Sequence, residues 1–319
     1  MSFSAAMLIA MVIDCVIGWP AWLYSRIGHP VSWLGKIVDS LDRNLNREED
    51  SLGRRRTAGV AVAVAVIGLV CVIAFLVQLM LPGGWVGILL TGVLAWPLLA
   101  IRSLYEHVAQ VLHPLREGDL ATARVAASMI VGRDTSALNE AGVSRATLES
   151  LAENTSDGVV APLFWGALLG LPGIAAYKAI NTLDSMIGHR TARHEAFGWA
   201  SAKADDFANL VPARLTGVFF ALVSSQTATA LRCMMRDAHK HRSPNAGWPE
   251  SALAGGMGVR LSGPRDYGGE TANEPWLNGA GRDPDASDIQ RGLQLYSFAV
   301  LLCAVVLVFV CILAFVATR

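Results

Sequence analysis

The sequence predicts an all-α polytopic membrane protein, a helical bundle with broken or re-entrant helices and a loop-rich polar segment. Three observations predict it. The chain is 53% hydrophobic and only 16% charged, whereas soluble domains carry about 25% charge. Several apolar runs are long enough to cross a bilayer: residues 58–81 would rise roughly 36 Å as a helix, against a hydrocarbon core of about 30 Å. Three polar stretches, ENTSDG (153–158), KAINTLD (178–184) and KADDFANLVPAR (203–214), lie beside such runs. Charged and amide groups at the margin of hydrocarbon are costly, so their clustering points to an enzyme or carrier and not to an anchor.

Six apolar runs follow in order: 3–23, 58–81, 84–101, 158–180, 207–230 and 297–317. The first lacks a basic leader and holds Asp14, which favours a retained span over a cleaved signal. The second alternates weakly in AGVAVAVAV, but an isolated strand leaves its backbone unsatisfied in lipid, so helix is expected. Pro82, Gly83 and Gly84 join it to the third run as a hairpin. The polar stretch 102–157 reads as helical, with breaks near Pro114 and Gly132. The fourth run contains Pro162, Gly166, Gly170, Pro172 and Gly173, and proline bends or breaks a helix. Residues 231–296, rich in Gly, Pro and Asn, form the loop-rich polar segment of a single membrane domain spanning 1–319. No internal repeat stands out. Four of the five cysteines lie inside apolar runs and none forms a CxxC pair, so inert cysteines are expected. The formal charge is zero, and no basic arm points to nucleic acid.

If all six runs cross, segments 24–57, 102–157 and 231–296 share one side, with 7, 5 and 8 Lys/Arg residues. The positive-inside rule makes that side cytoplasmic. The same arrangement strands segment 181–206, with Asp205 and Asp206, across the membrane from Glu153 and Asp157. A fourth run that breaks and folds back removes the conflict, because protein can cover a re-entrant backbone. The loop around Gly188 is then cytoplasmic.

The chemistry-bearing residues cluster in the three polar stretches. Glu149 and Glu153 share a helix face, and Asp157 follows four residues later. Glu153 and Asp157 suit a hard cation such as Mg²⁺, which takes oxygen ligands beside phosphate; the plainer reading is a solvated helix end. Asn181 and Asp184 are spaced to face one cavity, and Lys178 can pair with phosphate or an aspartate. Asp205 and Asn209 stand at i and i+4 beside Asp206, and Arg214 follows Pro212. One surface there can present Mg²⁺ ligands and another a phosphate clamp; the alternative is a water-facing acidic pair. Arg260 and Arg265, in the Gly-rich stretch 252–270, can bind phosphate or carboxylate bidentately. His189 and His194 are five apart and do not match a compact zinc motif.

Taken together, Asp14 with GWP (18–20), HPVSWLG (29–35), ENTSDGVVAPLFW (153–165), YKAINTLDSMIGH (177–189), FGWASAKADDFANLVPARLTG (197–217) and GWPESALAGGMGVRLSGPRDYGG (247–269) resemble the CobD/CbiB family of integral membrane proteins of cobalamin biosynthesis. The pieces occur in family order from near the N-terminus to the final span. The RDPDASD stretch (282–288) is less informative and reads as an exposed turn.

The resemblance implies an adenosylcobinamide(-phosphate) synthase, an amide-forming carbon–nitrogen ligase. It would join aminopropanol, or its phosphate, to adenosylcobyric acid, with ATP as activating cosubstrate and the corrinoid as substrate. Expected catalytic residues are Glu153, Asp157, Lys178, Asp184, Asp205 and Asp206. Of these, Glu153, Asp157, Asp205 and Asp206 are the expected Mg²⁺ set. Asn181, Asn209, Arg214, Arg260 and Arg265 are expected to bind nucleotide, phosphate or corrinoid side chains. The expected place is the cell membrane, the inner one in a Gram-negative cell, with the site facing the cytoplasm. Membrane lipid and other cobalamin-biosynthesis enzymes are the expected neighbours. Two other classes compete: a transporter of corrinoids or phosphate compounds, since broken helices and midplane polar groups serve transport too, and a polyprenyl- or phospho-transferase using the acidic clusters for diphosphate.

Overall fold

In a computed structural model, residues 3–132, 134–189, 191–267 and 270–317 are described, the side chains of 265–267 and 270–272 excepted. The helices in chain order are α1 (Phe3–Val16), α2 (Ala21–Ile27), α3 (Pro30–Leu45), α4 (Leu52–Met80), α5 (Gly84–Ala95), α6 (Ile101–Arg116), α7 (Leu120–Ser128), α8 (Glu140–Thr155), α9 (Ala161–Leu169), α10 (Leu171–Leu183), α11 (Trp199–Ala208), α12 (Leu210–Val223), α13 (Thr227–Asp237), α14 (Gly247–Met257) and α15 (Ala286–Ala317). Four short strands, β1 (Leu261–Ser262), β2 (Arg265–Tyr267), β3 (Glu270–Ala272) and β4 (Trp276–Leu277), pair antiparallel as β1 with β4 and β2 with β3. The protein is an all-α polytopic membrane protein. Three helical stretches, Leu52–Met80, Gly84–Arg116 and Ala286–Ala317, are long and apolar enough to cross a membrane. The bent pairs Phe3–Val16 with Ala21–Leu45 and Trp199–Ala208 with Leu210–Val223 raise that to five.

Caps explain several helix starts. Ser51 accepts the Arg54 N–H, Asp119 that of Thr122 and Asn139 that of Gly142, each satisfying a donor the helix cannot. His29 caps α3 through Nδ1, with Pro30 at the first helical position. One sequence expectation about the helices is corrected. Pro114 does not break α6; it sits in the last turn, where little helix remains to lose, and the chain turns at Gly118 in the left-handed region (φ +79°). The segment 231–296 is loop-rich at 241–246 and between Gly258 and Asp285, and its small Ala and Gly residues form α14, buried along nearly its whole length.

The described residues fall into two compact units. The first comprises Met1–Ala100, Ala161–Asn209 and Val306–Arg319. Its apolar run 158–180 is broken as its prolines and glycines suggest: α9 has 9 residues and α10 has 13, roughly 14 and 20 Å, each too short to cross alone. Gly170 turns the chain at φ +70°, and α10 folds back along α9, with Gly166 set against Ile174 and Gly173 against the Trp165 carbonyl. The Gln78 side chain holds the tip by accepting the Leu171 N–H at 2.8 Å. Val38, Val62, Ala63, Val66, Leu183, Ile187 and Phe197 form an apolar core joining α3, α4 and α10 to the loop before α11.

That loop is tied to segment 24–57. Asp42 accepts from Asn46 at 2.7 Å and from Arg193 at 2.9 Å. The Arg193 carbonyl accepts from Asn46 and Arg55. The six-span arrangement would put residues 24–57 and 181–206 on opposite faces; these bonds set Asp42, Asn46 and Arg55 directly beside Arg193.

The second unit comprises Ile101–Val160 and Leu210–Val305. Its core packs α14 against α8, α12 and α13; a side chain at Gly255 would fall 2.5 Å from the Cys233 Cβ. Fully buried Asp237 accepts from Arg236 at 2.6 Å, Lys240 at 2.7 Å and the Asn278 N–H at 2.8 Å. Burial alone would raise its pKa, but these donors hold it well below the carboxylate range. The same burial pushes the Cys233 thiol up to about 12, which leaves it unreactive. The RDPDASD stretch is no simple exposed turn. Asp283 binds Arg260 at 2.6 Å and also Arg145, and both guanidiniums lie over the Trp276 ring, at 4.4 and 4.6 Å from its centroid. Asp288 is fully buried and held by Arg282 at 2.6 and 2.8 Å.

Candidate functional site

A polar centre forms in the first unit where α9, α10 and α11 meet. Its apolar floor is Ala161, Tyr177 and Ala208, flanked by Trp165 and Ile180. Trp165 Nε1 donates to the Ala208 carbonyl at 3.0 Å and so anchors the end of α11 to α9. On that floor a relay fixes one carboxylate. The Tyr177 hydroxyl donates to Asn209 Oδ1 at 3.0 Å, and Asn209 Nδ2 donates to Asp205 Oδ2 at 3.0 Å. The Asn181 amide also supports the Asp205 carboxylate, while Asp184 is close enough to repel it. Asp205 Oδ1 is buried and has no hydrogen-bond partner among the described residues. A buried carboxylate oxygen left unpaired beside a second carboxylate is destabilising. Such sites persist where function needs them.

Backbone geometry positions Asp184. After Leu183 the α-helix widens into a π turn, Asp184–Gly188, and such widenings recur at functional sites. A side chain at Gly188 would collide with Asp184 Oδ1; glycine there leaves room for the carboxylate. Thr182 returns its hydroxyl to the Lys178 carbonyl at 2.7 Å, which puts Lys178 on the same turn of α10. The second unit repeats the device. Thr155 bonds the Leu151 carbonyl at 2.6 Å, and α8 widens into a π turn at Ser156–Val160 that begins beside Asp157. The shared signal is the tetrad Asn-Thr-x-Asp, at 154–157 and 181–184. The sequence held this short repeat in plain view, but four residues fall below the length at which repeats declare themselves.

The expected site residues therefore divide between the units. Lys178, Asn181, Asp184, Asp205, Asp206 and Asn209 belong to the first, and the structure gathers Asn181, Asp184, Asp205 and Asn209. Asp206 turns to Lys203 at 2.8 Å. Glu153, exposed near the end of α8, and half-buried Asp157 belong to the second unit. So does Arg214, which donates to the Leu210 carbonyl at 2.6 Å and lies over the Trp248 ring at 4.4 Å. Arg260 has its fork filled by Asp283. The side chain of Arg265 lies outside the described residues. Sequence reasoning missed Tyr177 and Trp165; both read as ordinary apolar helix residues until α11 supplies their partners.

A Mg²⁺ ion fits the first-unit centre chemically. The donors are all oxygen, one carboxylate oxygen is unpartnered, and Mg²⁺ commonly uses one or two carboxylates while keeping its waters. Among the described residues no three His, Cys, Asp or Glu side chains converge as a dedicated protein cage would require.

Fold and centre together define a polytopic α-helical membrane protein with an oxygen-rich polar site at a helix break. The chain belongs to the family described as CobD/Cbib protein, whose profile matches residues 7–296. It is 62% identical over 297 residues to the cobalamin biosynthesis protein CobD of Rhodobacter capsulatus, covering 93% of each chain. It is 46% identical over 298 residues to the protein of the same name in Rhizobium meliloti, covering 91% of each, and 46% identical over 296 residues to that of Brucella suis, covering 90% of each. No solved structure matches the chain.

Proposed function

We propose that this protein acts in cobalamin biosynthesis as an ATP-dependent amide ligase, joining aminopropanol or its O-phosphate to the free carboxylate of adenosylcobyric acid. The family membership supports the pathway. The observation that carries the chemistry is the approach of Asp184 to Asp205, whose buried Oδ1 has no hydrogen-bond partner among the described residues and whose carboxylate is flanked by amides. Direct attack of an amine on a carboxylate fails because oxide is a poor leaving group. The carboxylate oxygen therefore attacks the terminal phosphorus of ATP, giving an acyl phosphate and ADP. The amine then attacks the carbonyl, phosphate leaves, and the nitrogen loses a proton to solvent or a carboxylate.

In this reading Asp205 and Asp184 hold the Mg²⁺ that accompanies the nucleotide, and Asn181 and Asn209 fix the Asp205 carboxylate. When bound, Mg²⁺ offsets charge on the transferred phosphoryl group. Lys178 neutralises phosphate oxygens from the same helix face. Asp206 tunes the field beside Asp205. Glu153 and Asp157 keep their proposed role as oxygen ligands for Mg²⁺, and Arg214, Arg260 and Arg265 theirs as contacts to phosphate or corrinoid side chains. The site opens to the cytoplasm, where ATP resides.

The test is synthesis in detergent, with no sealed membrane, from adenosylcobyric acid, ATP, Mg²⁺ and each form of aminopropanol. Hydroxylamine should trap an ATP-dependent acyl phosphate; product formed without any nucleotide would sink the mechanism. The α9–α10 hairpin keeps a second reading open, transport of corrinoids, because broken helices serve carriers too. Flux into protein-bearing liposomes without amide formation would favour it.

A further inference from the structure

The second unit holds a groove that the proposed chemistry does not use. Its apolar part, about 400 Å³, is lined by Val223 from the end of α12 and by Phe298, Leu301, Leu302 and Val305 of α15. A smaller pocket of about 220 Å³ shares Val223 and Phe298 with it and adds Ser225, Gly256, Arg291, Gln294 and Leu295. On α15 these residues fall at 291, 294/295, 298, 301/302 and 305, a spacing of three and four that keeps them on one face. A single helix stripe therefore runs from a guanidinium through two polar groups into hydrocarbon-type side chains.

The stripe matches the depth profile of a bilayer. Arg291 is the last charged residue of α15, and nothing from Gly292 to Ala317 carries charge. Phe298, Leu301 and Val305 are more than half exposed on a helix able to span the membrane, so acyl chains surround them. Arg291 stands about 10 Å along the axis from Phe298, at the level where long basic side chains reach the headgroups. It donates to Asp288 at 3.0 Å; that carboxylate is already held bidentately by Arg282. The bond to Asp288 uses one of five guanidinium donors, and the side chain still lines the pocket.

We infer that this groove is a binding site for one anionic phospholipid, with an acyl chain along Phe298–Val305 against Val223 and the headgroup phosphate on Arg291, Gln294 and Ser225. Charge complementarity fixes the class: a headgroup with net negative charge gains from the cation, a zwitterionic one gains less.

The test measures lipid retention by native mass spectrometry on delipidated protein. The probes are phosphatidylglycerol and phosphatidylcholine with identical acyl chains. Wild type should retain phosphatidylglycerol over phosphatidylcholine by about fivefold, the factor for one basic side chain at an anionic surface. Arg291→Gln should erase that preference and Arg291→Lys should keep most of it. Arg102→Gln, a different exposed basic residue paired with Glu106, should leave it intact. Leu302→Trp or Val305→Trp should fill the groove and reduce retention of both lipids. Equal retention of the two lipids by wild type would overturn the site. So would a preference that survives Arg291→Gln, or one lost equally in Arg102→Gln. None of these readouts depends on the ligase reaction.

Discussion

Asp205 is held by Asn209 and supported by Asn181, yet one of its oxygens has no partner among the described residues and a like charge stands nearby. Its ionised form is thus a local liability, which the proposed bound cation would relieve. Asp205→Asn keeps the shape and removes the charge. It should leave thermal stability in metal-free detergent unchanged or higher, because the repulsion and part of the desolvation disappear. Amide formation should fall by about 100-fold or more, the scale for losing one preorganised electrostatic group. A paired loss of stability and activity would instead mark Asp205 as structural. Asp283 shows the opposite logic, since every neighbour favours its charge. Hydrogen bonds from Arg260, then Arg145, hold its pKa down to about 2. A depressed folded-state value means the unfolded chain takes up the proton first. The stabilisation is therefore complete above the ordinary value near 3.8 and fades as pH falls toward 2. Asp283 is partly exposed, so screening limits the term to ~1 kcal/mol. Thermal unfolding of wild type and Asp283→Asn should differ at pH 6 and converge by about pH 2; a constant gap would show that packing on Trp276 dominates.

Among the elements, α4 carries a built-in comparison. Gly59 lies where the backbone of Phe197 crosses the helix, and a side chain there would strike the Phe197 carbonyl. Gly68, further along the same helix, faces open space. Gly59→Ala should destabilise by about 1–3 kcal/mol through overpacking, while Gly68→Ala should be neutral or stabilise by up to about 1 kcal/mol through helix propensity. Thermal unfolding of the two variants in one detergent decides it. Equal effects would mean the α4 crossing is looser than the geometry requires. The contrast also shows what was legible in the sequence. Long apolar runs, capping residues and the Pro/Gly-marked break after α9 were readable because they are local. The Asn181–Asp184 spacing and the Asp205–Asn209 spacing were readable for the same reason. The partners that complete the centre, Tyr177 and Trp165, were not, since each depends on a helix that arrives later in the chain. The Arg145–Trp276–Arg260 stack escaped for the same reason: Arg145 lies more than a hundred residues before the other two, and no local pattern records the pairing.

On the scale of the whole molecule, the question is which face carries the polar centre. Segment 24–57 has seven basic residues, and the positive-inside rule predicts a cytoplasmic place for it. The loop before α11 is bonded to it through Asp42, Asn46, Arg55 and Arg193, so the same side is predicted for that loop. Gly188 is a poor position for a reporter, because any side chain there displaces Asp184. Ala192 is exposed in the same loop, and Glu48 is an exposed reference in the basic segment, its side chain 80% accessible. A single cysteine at either position, in a background lacking the native five, should resist an impermeant maleimide in intact cells. Both should label in inverted vesicles. Labelling of Ala192→Cys from outside, with Glu48→Cys protected, would separate two segments that the ion pairs join. That result would defeat the same-face arrangement even if amide synthesis were demonstrated. External labelling at both positions would keep the arrangement and reverse the orientation, and the ATP-dependent reading would then lose its nucleotide supply.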